Sequence, residues 1–279
     1  FNFDAIEQLE VMADVESLLA VDTNRRYLSG YSMGGYGTYL FGLLYPDLFA
    51  AGYSTSGATT QGAWTGVGPD QAECEADESD IPEVGSGNIC FIQANEGDAN
   101  AQLNYRILEN ARHFPLAIHH GTDDELVPTT GVQRYGLRLF ELGYRFDLLN
   151  FLGYEHFSQA IVDEWSEGAR YMHSFVRPEH PRQVTYKVVP ALVDAVNTVK
   201  PDPDTARFDF RPDGAWWVDD LVVAAFDPAN PRDTSVFGQI DATSFALPGD
   251  EIQAIPRGGL LNFGQQGPSP NLVVQLTPT

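Results

Sequence analysis

One serine of the chain stands in a sequence setting that could make it a nucleophile. Ser32 is the centre of Gly30-Tyr31-Ser32-Met33-Gly34, a Gly-x-Ser-x-Gly pattern whose glycines leave room for a tight turn from a strand into a helix. A serine hydroxyl attacks a carbonyl carbon readily only when a base removes its proton, and a histidine oriented by a carboxylate is such a base. The pattern therefore predicts that an acid and a histidine follow Ser32, in that order.

The acid and the histidine have candidates further along the chain. Asp123, Asp124 and Glu125 follow one another in His-Gly-Thr-Asp-Asp-Glu-Leu-Val-Pro, directly after a predicted strand, and the pattern alone leaves the choice between the two aspartates open. His156 follows the next predicted strand and opens a predicted helix. Because the carboxyl ends of parallel strands meet at one edge of a sheet, the serine, the acid and the histidine are expected to converge there.

Apolar periodicity predicts the elements that must position these side chains. Apolar residues at three- and four-residue steps indicate helices, and short apolar runs bounded by turn residues indicate buried strands. The two patterns alternate, which is typical of a parallel sheet with helices on both faces. The predicted helices cover residues 4–19, 36–44, 101–111, 132–142 and 158–175, and the predicted strands cover residues 25–29, 48–54, 116–120 and 146–151.

The motifs together resemble the catalytic domain of the α/β-hydrolases. The resemblance is carried by Gly-Tyr-Ser-Met-Gly-Gly-Tyr-Gly-Thr, Tyr-Pro-Asp-Leu-Phe-Ala, the His-Gly-x-x-Asp segment and Gly-x-x-His, and it extends over residues 4–175. The sequence is similar to prolyl-oligopeptidase-like serine hydrolases and to esterases related to polyhydroxybutyrate depolymerase and feruloyl esterase. The resemblance implies that Ser32 is the nucleophile, that Asp124 rather than Asp123 is the acid, and that His156 is the base.

The resemblance also implies an oxyanion site beside the nucleophile. We expect the backbone N–H of Met33 to be one oxyanion donor, and we assign Tyr31 to the oxyanion and substrate side of the site. In the family, several strands and the loop that gives a second donor precede the nucleophile strand, whereas one predicted helix precedes it here. We therefore expect a partial α/β-hydrolase fold that lacks the first strands, partnered by an upstream segment of the same protein.

The sequence pattern changes twice outside the predicted hydrolase elements. Residues 59–100 are polar and rich in glycine and acids, which predicts an insertion, and they contain Cys74 and Cys90, whose spacing fits either one disulfide or two thiols. Towards the carboxyl terminus, prolines separate alternating apolar runs, a pattern typical of short strands. We predict an α/β-hydrolase domain at residues 1–179 and a small β-rich domain at residues 180–279.

Composition and charge exclude several classes of function. The 279 residues are 43% hydrophobic and carry 39 acidic against 16 basic side chains, a formal charge of -23. Such a surface repels phosphate backbones and anionic lipids, so nucleic-acid binding is not expected. No apolar run reaches the ~18 residues of a membrane span. The acidic, lysine-poor composition fits a GC-rich coding sequence, a salt-adapted protein or a secreted protein. We expect a secreted or extracellular protein.

No metal or cofactor is predicted from the residues. His119 and His120 are adjacent, but neighbouring side chains on a strand point to opposite faces and cannot share one ion.

The sequence thus predicts a serine hydrolase that cleaves carboxylic esters through an acyl-enzyme intermediate. A serine peptidase of the prolyl-oligopeptidase type would use the same residues and is the alternative among enzymes, so the expected substrate is a small ester or a peptide. A non-catalytic binding or scaffold protein is the alternative from another class, because the expected upstream half would be missing.

Overall fold

The computed structural model describes residues 2–59, 63–66, 89–92, 103–127, 129–162, 165–188, 211–225, 235–240, 252–262 and 268–278. Most of the predicted insertion, with Cys74, lies outside the described residues, and Cys90 is described only as part of a strand backbone. The choice between a disulfide and two thiols falls outside them as well.

Helices and strands alternate along the first part of the described chain. In chain order the elements are α1 (Asn2–Leu18), β1 (Tyr27–Tyr31), α2 (Met33–Leu44), β2 (Ala51–Thr55), β3 (Ala63–Gly66), β4 (Ile89–Ile92), α3 (Leu103–Arg106), β5 (Leu116–Gly121), α4 (Thr129–Leu142), β6 (Phe146–Phe151), α5 (Ser158–Val162), α6 (Ser166–Met172), β7 (Gln183–Tyr186), β8 (Val218–Ala225), β9 (Ser235–Ile240), β10 (Ile252–Asn262) and β11 (Pro268–Pro278). Short 3-10 helices lie at Thr23–Arg25 and Leu108–His113.

The strands that position the candidate site form one parallel sheet. Its order in the described residues is β1-β2-β5-β6, and every neighbouring pair is parallel. All residues of β2 and β5 are buried, whereas those of β1 and β6 are half-buried or exposed. The carboxyl ends of the four strands therefore lie along one edge, which is where ligands bind in sheets of this kind.

Helices cover both faces of this sheet. On one face, Leu43 of α2 and Leu139 of α4 belong to the same buried cluster as Ile118 of β5. On the other face, Met172 of α6 belongs to a second cluster with Ala117, the neighbour of Ile118 on β5. The alternation along β5 buries one side chain under each helical layer, and the predicted α/β fold is confirmed.

Beyond residue 183 the described elements are all strands, which agrees with the predicted β-rich part. β7 pairs with β11, β11 pairs with β10, and β8 pairs with β9, all antiparallel. This part contacts the 3-10 helix before β5, because the ammonium of Lys187 lies 2.6 Å from a carboxylate oxygen of Glu109 and the amide nitrogen of Asn110 donates to the carbonyl of Lys187 over 3.2 Å. The domain boundary near residue 180 stays a prediction.

Several elements differ from the sequence prediction: α2 and α4 begin three residues earlier than predicted and β2 begins three residues later, and three further differences concern the type or position of an element. The predicted helix at residues 158–175 is two helices, α5 and α6, and Trp165 begins the second one while its ring packs edge-on against Tyr31. The predicted helix at residues 101–111 is a short α-helix followed by a 3-10 helix. The first strand lies two residues later than predicted, because its residues pair in register with Ala51–Thr55. In each case tertiary packing, which periodicity does not report, sets the boundary.

Candidate active site

Ser32 occupies a strained turn between β1 and α2. Its φ is 55 and its ψ is -114, a region that non-glycine residues rarely adopt and that persists only where the surroundings fix it. The surroundings do so here, because the N–H of Ser32 donates to the carbonyl of Thr55 over 2.8 Å and its carbonyl accepts from the N–H of Tyr36 over 3.0 Å. A Cβ on Gly30 would overlap the backbone of Gly34, so the turn requires glycine at the first position of the motif.

His156 lies between the serine and the acid. Its Nε2 is 2.9 Å from the Oγ of Ser32, and its Nδ1 is 2.9 Å from each carboxylate oxygen of Asp124. A carboxylate only accepts hydrogen bonds, so Nδ1 carries the proton and Nε2 is free to accept one from the serine hydroxyl. The side chains of His156 and Asp124 are 2% and 0% exposed, which protects both bonds from competing water.

The turn after β5 selects Asp124 over Asp123. One carboxylate oxygen of Asp124 accepts from the N–H of Leu126 over 3.0 Å and from the N–H of Val127 over 2.7 Å, so the carboxylate is fixed before it meets the imidazole. Asp123 is exposed and accepts instead from the hydroxyl of Thr122 over 2.8 Å. Of the two aspartates left open by the pattern, the structure brings only Asp124 to the histidine.

The loops that carry the acid and the histidine are joined directly. The N–H of Asp123 donates to the carbonyl of Tyr154 over 3.0 Å, and the N–H of Thr122 donates to the carbonyl of Phe151 over 3.0 Å. A Cβ on Gly121 would overlap the carbonyl of Tyr154. The strand that delivers the acid therefore ends in a glycine so that the loop of the histidine can lie against it.

The adjacent histidines of β5 lie on opposite faces of the sheet, as predicted. His119 packs on Tyr53 and shares a 3.0 Å hydrogen bond with its hydroxyl. His120 donates its Nε2–H to the carbonyl of Val127 over 2.7 Å, and the same nitrogen lies 3.4 Å from Asp124. Burial lowers the pKa of both imidazoles and so favours their neutral form, although the charges of Asp147 and Glu167 oppose this for His119 and that of Asp124 opposes it for His120.

Met33 and Tyr31 flank the serine. Met33 is the first residue of α2, where backbone N–H groups have no partner within the helix, and its side chain is 82% exposed. From the sequence, Tyr31 is expected on the oxyanion and substrate side, but in the structure its hydroxyl donates to the carbonyl of His156 over 2.8 Å. This proton is therefore committed to the histidine backbone.

Glu125 makes a contact that sequence reasoning missed. Its carboxylate accepts from the backbone N–H of His156 over 3.1 Å. The sequence shows Glu125 beside the acid but predicts no role for it, because a hydrogen bond to a backbone group does not depend on the residue types of a motif. The only signal was the position of a third carboxylate directly after the two aspartates.

Within the described residues, no group of three or more histidine, cysteine or carboxylate side chains is placed to bind a metal ion. No helix in the same ranges combines the length and the apolar composition of a membrane span.

No family model and no curated protein matches this chain. Solved structures are similar in fold. A thermostable esterase is 21% identical with a TM-score of 0.39, over 61% of this chain and 37% of that one. A puromycin-hydrolyzing peptidase of Mycobacterium tuberculosis is 19% identical with a TM-score of 0.42, over 61% of this chain and 25% of that one. An S-formylglutathione hydrolase of Staphylococcus aureus is 20% identical with a TM-score of 0.39, over 59% of this chain and 58% of that one.

The chain thus spans less than two thirds of each of these three proteins. Its own topology agrees with the α/β-hydrolase fold predicted from the motifs, because the serine turn lies between a strand and a helix and is followed in order by the acid and the histidine.

Proposed function

We propose that this chain is the catalytic part of a serine hydrolase that cleaves carboxylic esters, with Ser32 as nucleophile, His156 as general base and acid, and Asp124 as the group that orients it. One observation carries the proposal: the imidazole lies within 2.9 Å of both the serine hydroxyl and the buried carboxylate. A nucleophile and a base within hydrogen-bond reach, with the base held by a third group, is the arrangement that covalent catalysis needs.

The contacts support the following reaction. The Oγ of Ser32 attacks the ester carbonyl carbon while its proton moves to Nε2 of His156, and the carboxylate of Asp124 stabilises the imidazolium through Nδ1–H. The carbonyl oxygen becomes an oxyanion beside the start of α2, where the N–H of Met33 donates to it. The alcohol leaves with the proton from Nε2, which completes the acyl-enzyme. Water then attacks the acyl carbon while it gives a proton to Nε2. The carboxylic acid product departs as Ser32 takes that proton back from Nε2.

A second oxyanion donor is part of the proposal. Loss of one such donor typically costs ~10²–10³ in turnover, so Met33 alone would leave the site weak. We infer that an upstream segment of the same protein lies beside β1 and supplies the second N–H. The support is that β1 pairs on one side only, with β2, in the described sheet.

The substrate is proposed to carry an apolar group and no negative charge. The side chains next to the serine and the histidine, Met33 and Phe157, are apolar and are 82% and 54% exposed. The whole chain carries a charge of -23, which disfavours anionic esters. A peptide substrate would use the same three residues.

Secretion also stays a proposal, to be tested by locating the protein after cell fractionation.

The proposal is tested with the full-length protein and its Ser32→Ala variant. We expect p-nitrophenyl butyrate turnover to fall to the ~10³–10⁴-fold residual acceleration over water that remains when a triad is dismantled, with an unchanged melting temperature. A fluorophosphonate should label the unaltered protein at Ser32, as located by peptide mass spectrometry. Ser29→Ala, which changes an exposed serine of β1, is the matched control and should keep full activity.

Three outcomes separate the alternatives. An unaltered protein that binds neither the ester nor the probe covalently would indicate a non-catalytic protein. Faster cleavage of a peptide anilide than of the ester, lost with Ser32→Ala, would favour the peptidase. Full activity of the Ser32→Ala variant would exclude Ser32 as the nucleophile.

A further inference from the structure

We propose that Tyr31 and Glu125 act together as positioning residues that hold the backbone of His156 from both sides. The inference rests on the proposed function, because it assigns a purpose to the placement of the base. Neither hydrogen bond is made to a reacting atom, and neither role follows from the motif that contains the residue.

Both polar groups of the His156 backbone are held by side chains. The phenol of Tyr31 donates to the carbonyl of His156 over 2.8 Å. The carboxylate of Glu125 accepts from the N–H of the same residue over 3.1 Å. His156 thus receives a hydrogen bond on its carbonyl and gives one from its amide, and the two partners come from the end of β1 and from the loop after β5.

The position of His156 in the chain explains why such support is needed. β6 ends at Phe151 and α5 begins at Ser158, so the histidine lies in the connection, where the sheet ladder has ended. A base works only within about 2.6–3.2 Å of the proton that it removes, and a displacement of about 1 Å can cost ~10²-fold in rate. Two hydrogen bonds to the backbone fix the point from which the imidazole reaches Ser32 and Asp124.

The two partners also tie the base to the other two members of the site. Tyr31 immediately precedes the nucleophile, and Glu125 immediately follows the acid. The ring of Tyr31 also lies against the imidazole, with centroids 5.3 Å apart, and against Trp165 edge-on at 6.1 Å. A shift of either neighbouring loop would therefore be transmitted to the histidine backbone.

The surroundings of Tyr31 favour the protonated form of its phenol. Burial raises the pKa of Tyr31, and the charges of Asp124 and Glu125 raise it further. The phenol therefore keeps the proton of its hydrogen bond to the carbonyl up to a higher pH than an ordinary tyrosine would.

The experiment compares Tyr31→Phe, Glu125→Gln, Glu125→Ala and the double variant Tyr31→Phe/Glu125→Ala in the full-length protein. Phenylalanine keeps the ring and removes the donor. Glutamine keeps an acceptor oxygen and removes the charge, whereas alanine removes both. Three variants are the matched controls. Glu155→Gln and Glu155→Ala change an exposed carboxylate directly before the histidine, and Tyr105→Phe removes the hydroxyl of a tyrosine distant in sequence from the motifs.

For each variant we would measure kcat and KM with p-nitrophenyl butyrate, the rate of fluorophosphonate labelling of Ser32, and the melting temperature. We expect kcat and the labelling rate to fall about 10-fold in Tyr31→Phe and about 10–30-fold in Glu125→Ala. KM should stay within about 2-fold, because the substrate is not contacted. Glu125→Gln should retain at least about a third of kcat, since its amide oxygen can accept the same bond. The controls should match the unaltered protein.

The double variant should lose less than the product of the two single losses, because both changes release one backbone segment. Unchanged kcat and labelling rate in both Tyr31→Phe and Glu125→Ala would overturn the inference, as would a rise in KM at constant kcat, which would assign Tyr31 to the substrate instead. An equal loss in Glu125→Gln and Glu125→Ala would show that charge, not the hydrogen bond, is responsible, and would also overturn it. If the unaltered protein is not labelled at Ser32, the proposed function fails and the inference fails with it.

Discussion

Replacing Asp124 by asparagine tests the role of the carboxylate in the candidate site, because the structure fixes how the new amide must orient. One carboxylate oxygen of Asp124 accepts from two backbone N–H groups, those of Leu126 and Val127. Only an oxygen can accept both bonds, so the amide oxygen of Asp124→Asn must take this place. The amide nitrogen then takes the place of the other oxygen, 2.9 Å from Nδ1 of His156.

An amide nitrogen at that position can only donate a hydrogen bond. It therefore favours the imidazole tautomer that carries its proton on Nε2, the nitrogen that faces the Oγ of Ser32 at 2.9 Å, and it competes with the amide oxygen, which also lies 2.9 Å from Nδ1 and can accept only from the other tautomer. In the tautomer with the proton on Nε2 the histidine cannot accept the serine proton, and it also loses the carboxylate that would stabilise its positive form. Substitutions of this kind in a Ser-His-Asp triad lower kcat by about 10⁴ with the geometry intact, and we expect a loss of that size.

The assay is turnover of p-nitrophenyl butyrate, with the melting temperature and the circular dichroism spectrum as checks on the fold. Asp123→Asn is the matched control, because the residue adjoins Asp124 but is exposed and bonds to Thr122. We expect Asp123→Asn to stay within about 3-fold of the unaltered protein, as surface substitutions usually have small effects. Equal losses in the two variants, or a larger loss in Asp123→Asn, would refute the assignment of the acid.

Two further predictions concern contacts around the site. Gly121→Ala should destabilise the protein by about 1–3 kcal/mol and lower kcat, because its Cβ overlaps the carbonyl of Tyr154; an unchanged melting temperature would contradict this. Burial lowers the pKa of Lys187 to about 8, although the charge of Glu109 opposes the shift. An unfolded lysine keeps its proton up to its ordinary pKa of about 10.4. Relative to Lys187→Met, the free energy of unfolding should therefore rise by up to about 3 kcal/mol between about pH 8 and 10.4. Urea titration measures this, and a difference between the two proteins that does not change with pH would disprove the prediction.

The α/β architecture and the order of the candidate residues were accessible from the sequence because both depend on local signals. Apolar periodicity reports which face of an element is buried, and the glycines around Ser32 report a turn that larger residues would block. The buried strand β5 and the half-buried strand β6 were both found in this way. The convergence of the three side chains then follows from the parallel order of the strands.

The remaining features could not be found in this way, because they depend on contacts between distant segments. Asp123 and Asp124 are chemically identical, so the residue pattern left the choice open and only the resemblance favoured Asp124; in the structure, the turn that follows decides which one faces the imidazole. The phenol of Tyr31 and the carboxylate of Glu125 bond to the carbonyl and the N–H of His156, which any residue type except proline would present at this position.

The strained backbone of Ser32 bears on how the effect of removing its hydroxyl is interpreted. The N–H of Ser32 is held by Thr55 and its carbonyl is held by Tyr36, so the unusual backbone angles are imposed by β2 and by the first turn of α2. Neither bond involves the side chain. Ser32→Ala therefore keeps every contact that maintains the turn, and loses only the group that lies 2.9 Å from His156. A loss of activity in that variant would consequently report on the chemistry of the hydroxyl and not on the shape of the turn.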